Sequence, residues 1–373
     1  MKKGYHKLIT LFLIIIFLSL SVSFIFSDKK EFSENENRYM QSFPEFSLKA
    51  LFNGKYIVEL EDYFTDHFPL RDRFMSIKTL TDKILGKRDV SGVYFASNDY
   101  LIEKYDKPKN NDKIINKLNK FYEELNYVNM NLMLVPTSVS INSDLLPNNA
   151  PTYSEKDTID YIYNKINFDK VDVYNVLLEK NKKHQMYYRL DHHWTTYAAY
   201  YAYVEYAKNN NLEYYSLNSF EIEEVTNDFN GTLYSKTNDY TRKPDSIYVF
   251  KLPNTSYTVN YVDKKKETDT LYEYSYLDTK DKYSLFLDNN HSLIEIKNNI
   301  VNNGKELVVI KDSFANCLVP FLINHYEKVY VIDPRYYKKS ISEFIKENPN
   351  IRDLLFVYNT NNIDNDKGIL TIR

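Results

Sequence analysis

Short apolar runs alternating with stretches of helical periodicity constrain this chain more than any other feature. A helix over about 111–125 precedes the strand NLMLVPTSVSI (131–141), and VDVYNVLLEKN (171–181) reads as a strand passing into a helix. A further helix is predicted over about 195–208. KELVVIKDSFANCLVPFLINHYEKVYVIDPRYY (305–337) reads strand, turn, helix, strand, and DLLFVYNT (353–360) adds a last apolar strand. Strands that are apolar throughout, with helices between them, imply a mainly parallel sheet covered on both faces. Between about 225 and 299 the pattern changes to alternating, tyrosine-rich arms with turn signals such as NDYTRKPDS (238–246) and DNNHS (288–292), as in a β-rich insertion. The expected class is therefore α/β, three-layered, with a β-rich insertion.

The first 26 residues carry a separate signal. Lys2, Lys3 and Lys7 precede an apolar run from Leu8 to Phe26. At ~1.5 Å per helical residue the run reaches about 28 Å, close to the hydrocarbon thickness of a bilayer. Basic residues on the N-terminal side place that end in the cytoplasm and export the rest. The small-residue SVS at 21–23 leaves signal-peptide cleavage open. The expected organisation is a signal anchor over 1–28, a tether and helical extension over 29–90, and an extracytoplasmic α/β domain over 91–373. In the extension, Ile57, Leu60, Tyr63 and Phe64, then Phe74, Ile77, Leu80 and Ile84, mark two amphipathic helices separated at Pro69. GVYFASNDYLI (92–102) reads as a hairpin turning at Asn98 and Asp99.

Composition excludes some functions. With 48 basic and 51 acidic residues the net charge is -3, and no basic block suggests a nucleic-acid partner. Cys317 is the only cysteine, so no internal disulfide forms, and its apolar helical setting suits a buried small hydrophobe. The 36 tyrosines suit either an AT-rich coding bias or a carbohydrate-facing surface.

Two segments carry the chemistry. Ser313 follows the apolar strand 307–310 at a strand-to-helix junction, the edge where parallel α/β sheets bind ligands and where backbone N–H groups of a helix's first turn face a developing oxyanion. A helix N-cap at Asp312 or Ser313 is the plainer alternative. In LDHHWTT (190–196), Asp191 and His193 stand two apart in an extended entry to a helix capped by Thr195 or Thr196, so both side chains project to one side and His192 faces away. A serine nucleophile needs a base, and the base needs an orienting carboxylate. Capping and packing roles compete with this reading, as does a zinc site built from Asp191, His192 or His193 with His184.

These residues resemble those of the DHHW family, named for the tetrapeptide that stands here as Asp191-His192-His193-Trp194, and more broadly the SGNH-hydrolase-like proteins of alginate and exopolysaccharide O-acetylation. The resemblance spans ENR (36–38), FPEFS (43–47), DHFPLRDRF (66–74), GVYF (92–95), PTSVSI (136–141), DHHWT (191–195), FNGTLYSKT (229–237), KDSFA (311–315) and DPRYY (333–337). It implies Ser313 as nucleophile, His193 as base and Asp191 as orienting acid, with no cofactor and no metal. It also implies acetyl transfer to, or hydrolysis from, an extracellular polysaccharide, beside a membrane-bound O-acyltransferase and polysaccharide synthase machinery. Lys311 stands where ordinary SGNH esterases carry glycine. Asn290 and Asn359 are candidate oxyanion donors, and Arg335 and Trp194 candidate substrate contacts. A non-catalytic glycan-binding or exporter-partner protein on the same fold is the alternative function.

Overall fold

The structure, a computed structural model, describes residues 2–27, 29–33 and 38–373. Glu36 and Asn37 of the ENR motif lie outside the described residues. The chain divides into two compact units, residues 1–87 with 235–241, and residues 88–234 with 242–373.

In the first unit α1 (Lys2–Phe26) contains a 22-residue stretch, Tyr5–Phe26, with mean hydropathy 2.8, long and apolar enough to cross a membrane. Two amphipathic helices follow at the positions their periodicity predicts, α2 (Lys55–Asp66) and α3 (Arg71–Ile84). Pro69 lies between them, and Leu70 takes a left-handed φ of 59° as the chain turns into α3.

The second unit opens with the hairpin β1 (Val93–Phe95) and β2 (Leu101–Glu103), whose turn uses left-handed φ at Asn98 and Asp99. Next come α4 (Asn111–Glu124) and β3 (Asn129–Val135). The strand predicted over 131–141 ends at Val135, because Pro136 offers no ladder N–H, and Ser138–Ile141 forms a helical turn instead. β4 is the pair Asp169–Lys170, and α5 runs Tyr174–Lys180. Then α6 spans Thr196–Asn209, with the Thr195 hydroxyl accepting from the Ala198 N–H at 3.5 Å.

The tyrosine-rich region does not fold as one insertion. β5 (Glu221–Phe229) and β6 (Asp245–Lys251) form an antiparallel ribbon of their own. β7 (Tyr257–Tyr261), β8 (Lys266–Thr268) and β9 (Leu293–Asn298) instead extend the central sheet, which is completed by β10 (Glu306–Lys311), β11 (Lys328–Ile332) and β12 (Ile351–Asn359). The order is β8-β7-β9-β11-β10-β12-β3-β4, antiparallel from β8 to β11 and parallel from β11 to β4. Period-two alternation marks an antiparallel strand but not the sheet it joins, and only the burial of Leu293, Ile294 and Ile296 against β11 puts β9 in the core.

The parallel strands are apolar throughout because they feed two cores. In β10, Leu307 and Val309 enter one cluster with Ala198, Ala202 and Tyr206 of α6, while Val308 and Ile310 enter the other with Ile114, Leu118 and Phe121 of α4. β12 splits likewise, Leu355 and Val357 to one side and Leu354, Phe356 and Tyr358 to the other. This gives three layers, helix, mainly parallel sheet, helix. From β10 the chain passes to β11 on one side and then to β12 on the other, so the C-terminal ends of β10 and β12 bound a crevice at a switch point. Leu355 of β12 is fully buried in the core shared with α6, and Leu355→Ala is expected to cost about 2–5 kcal/mol in urea unfolding. A loss under about 0.5 kcal/mol would mean the core shared with α6 is not packed as described.

Candidate active site

Ser313 lies just beyond β10. From Leu307 to Asn324 it is the single residue that is not buried, so the strand presents one hydroxyl to the crevice. The turn is fastened from behind. The Asp312 N–H donates to the Val357 carbonyl at 3.1 Å, and the buried Asp312 carboxylate accepts from the N–H of Phe314 (2.9 Å), the N–H and Nδ2 of Asn359 (2.9 and 2.8 Å) and Nδ2 of Asn362 (3.1 Å). Burial pushes this carboxyl up, to about 6, against the pull of those donors. After Ser313 the chain forms a five-residue 3-10 turn, Ser313–Cys317, not the α-helical first turn predicted. The Phe314 N–H is held by Asp312, whereas the Ser313 N–H has no partner among the described residues.

Asp191 and His193 sit in a loop closed by an isolated bridge between Tyr187 and Trp194. The loop is bent, not extended: Asp191 Oδ1 accepts the His193 N–H at 2.9 Å and faces His193 Nδ1 at 2.6 Å. His193 Nε2 lies 2.7 Å from Ser313 Oγ. The imidazole is sandwiched, with the Tyr283 ring stacked on it at 3.8 Å and 10°. Burial alone would raise the Asp191 pKa. The neighbouring imidazoles of His192 and His193 and the N–H donors outweigh burial and hold it well below the usual carboxylate range. An ionised carboxylate has no proton to give, so Nδ1 carries the hydrogen and the Nε2 lone pair meets the serine hydroxyl. Burial, then the charge of His192, push the His193 pKa down to about 4, although Asp191 pulls it up. The imidazole is therefore neutral at neutral pH.

Residues 93–332 match the DHHW protein family. The chain belongs to the DHHW family. A DHHW family protein from Eubacterium siraeum shares 29% identity and the fold at a TM-score of 0.64, over 76% of this chain and 94% of the other. Bacillus cereus PatB1 is similar at 20% identity and a TM-score of 0.62 in a structure with a sulfonyl adduct, over 75% of this chain and 98% of that one. No curated protein matches the sequence.

Beyond these three side chains, the roles expected of the DHHW sequence divide. Trp194 is fully buried and its Nε1 donates to the Phe314 carbonyl at 2.8 Å, so it ties the histidine loop to the serine turn and does not face a substrate. Asn359 is spent on Asp312 and on capping Asn361 and Asn362, which leaves no amide hydrogen bond directed at an oxyanion. Asn290 Oδ1 accepts from Lys311 Nζ at 2.6 Å, and its Nδ2 donates to Asn289 Oδ1 at 3.0 Å. Arg335 is paired with Asp333, its Nε at 2.8 Å. Lys311, in place of glycine, is wholly buried and turned away from the serine towards Asn290 and Asp333, the latter 3.7 Å from Nζ. Burial lowers its pKa to about 8.

His192 does not face away. Its Nδ1 meets Thr232 Oγ1 at 2.6 Å and its ring lies 3.9 Å from that of His193. The ligand-type atoms of Asp191, His192 and His193 fall within 4.8 Å of one another, a cluster that fits a metal by proximity. His184 does not contribute to it: its ring stacks on Tyr197 at 4.5 Å.

FNGT (229–232) holds a role its sequence did not reveal. Thr232 donates its N–H and Oγ1 to Asp191 Oδ2 at 2.8 and 3.0 Å. A Cβ on Gly231 would stand 2.3 Å from both Cβ and Oδ2 of Asp191. In a chain with only 7 glycines, one inside this motif is the available signal. Gly231→Ala is expected to destabilise by about 1–3 kcal/mol through overpacking. It should also displace the Asp191 carboxylate, visible as loss of the low-field Nδ1–H proton resonance of His193. A variant with wild-type stability and an unchanged resonance would contradict the close approach.

Proposed function

We propose that this DHHW protein is a serine-dependent O-acetyltransferase or acetylesterase, tethered to the membrane and acting outside the cytoplasm on a cell-surface or secreted polysaccharide. The continuous set of contacts from Asp191 through His193 to Ser313, at 2.6 and 2.7 Å, carries this reading. Ser313 Oγ attacks the carbonyl carbon of an acetyl ester or thioester while its proton passes to His193 Nε2. Asp191 keeps Nδ1–H in place and stabilises the imidazolium. The Ser313 N–H faces the developing oxyanion. The bond to the leaving group then breaks, that group takes the proton from Nε2, and acetyl-Ser313 forms. An acceptor hydroxyl gives its proton to Nε2 and attacks the acetyl carbon. Ser313 Oγ leaves, reprotonated by His193. A sugar hydroxyl as acceptor gives transfer, and water gives hydrolysis. A membrane-bound O-acyltransferase beside a polysaccharide synthase is the class of partner that supplies an acetyl donor on this side of the membrane.

One observation favours a second reading, a non-catalytic glycan-binding or exporter-partner protein. The Phe314 N–H and the Asn359 amide, natural neighbours for an oxyanion, are both committed to Asp312.

Intact mass after reaction with p-nitrophenyl acetate separates the two. The first reading predicts an adduct of about 42 Da on the wild type and none on Ser313→Ala, with acetyl transfer lost by about 10³-fold or more. A folded wild type without adduct or turnover would favour the binding protein. The pH profile follows from His193. An imidazolium cannot accept the serine proton, so kcat/KM is flat near neutrality and falls as pH drops through about 4. An acid limb at or above 6.5 would contradict the effect of burial on the base.

A further inference from the structure

Helices α2 and α3 are built inside out. The residues they bury are polar, Asp66 in α2 and Thr79 in α3. Asp66 accepts the Gln41 N–H at 2.8 Å, and Thr79 Oγ1 donates to the Thr237 carbonyl at 2.8 Å. Their apolar stripe faces outward, with Ile77 59% and Ile84 76% exposed. Between the helices lies an open groove of 590 Å³ lined by Ile57, Leu60, Phe64, Phe68, Phe74 and Met75. Soluble monomers rarely leave a contiguous apolar surface of this kind uncovered.

The apolar helix α1 fixes what meets it. Phe24 packs on Phe64, a groove residue, with ring centroids 5.3 Å apart, and meets Tyr63 edge-on at 6.3 Å. At ~1.5 Å per residue, the helix from Tyr5 to Phe24 spans about 28 Å, close to the ~30 Å hydrocarbon core of a bilayer. Phe24, and with it Phe64 and the groove, therefore lies at the outer boundary between acyl chains and headgroups. Lys29 stands where a cation at headgroup level would: its Nζ lies 3.7 Å above the Phe24 ring and donates to Ser27 Oγ at 3.2 Å.

We propose that α2 and α3 lie in the outer leaflet's interface with phospholipid acyl chains filling their groove, so that this unit grips the bilayer with a helical pair as well as its span. This rests on α1 being an uncleaved anchor. The test uses the full chain in phosphatidylcholine–phosphatidylglycerol nanodiscs with single nitroxide labels. Cys317 is buried, with its thiol pushed up to about 12, so it does not compete for the label. Labels at Phe64→Cys and Ile77→Cys are expected to be several-fold more accessible to oxygen than to a water-soluble nickel chelate. A label at Asp62→Cys, on the opposite side of α2, shows the reverse. Nickel access at both apolar sites, with an Ile14→Cys label in α1 still shielded by lipid, would overturn the proposal alone. Nickel access at Ile14→Cys as well would overturn the anchor beneath it. Spin–spin broadening at Phe64→Cys or Ile77→Cys that vanishes on dilution with unlabelled chain would give the groove to a second copy and equally overturn it.

Discussion

A buried carboxylate must be paid for in hydrogen bonds, and the site is organised around the one at Asp191. Its two oxygens accept from the His193 N–H, the Thr232 N–H and the Thr232 hydroxyl, and one of them faces His193 Nδ1. Gly231 is the consequence, since a side chain there would occupy the space of the carboxylate. The same oxygen that bends the loop at residues 191–193 also orients the imidazole, so local backbone shape and the placement of the His193 ring have one cause. Asp312 repeats the principle on the other side of the crevice. It draws Phe314, Asn359 and Asn362 around itself and leaves Ser313 as the residue that faces out.

Much of this was legible before the structure. Alternating apolar runs specify parallel strands buried on both faces, because each side of β10 and β12 must meet its own core. The serine, histidine and aspartate that the structure brings into contact were legible as residue types at a strand end and a helix entry. The contacts that position them were not. Thr232 and Gly231 lie some forty residues from Asp191, Tyr283 stacks on His193 from an even more distant segment, and no local period encodes such encounters. Asn359 and Trp194 read as site residues for a related reason. Polar and aromatic side chains near a crevice look alike in sequence whether they face a ligand or fasten the turns beneath it, and both fasten turns here.

The helical unit illustrates a different limit. Periodicity gave α2 and α3 their lengths and apolar faces, but an amphipathic stripe does not say whether it meets a protein core or another apolar medium. Asp66 and Thr79 settle the direction, because their buried hydrogen bonds turn the polar side inward.

The account stands on Ser313 being activated by His193 in the folded chain. Peptide mapping after exposure to phenylmethylsulfonyl fluoride at neutral pH tests this without a choice of natural substrate. Sulfonylation of Ser313 alone, slowed by about 100-fold or more in His193→Ala, is the predicted result. An unmodified Ser313, or a rate that His193→Ala leaves unchanged, would contradict it.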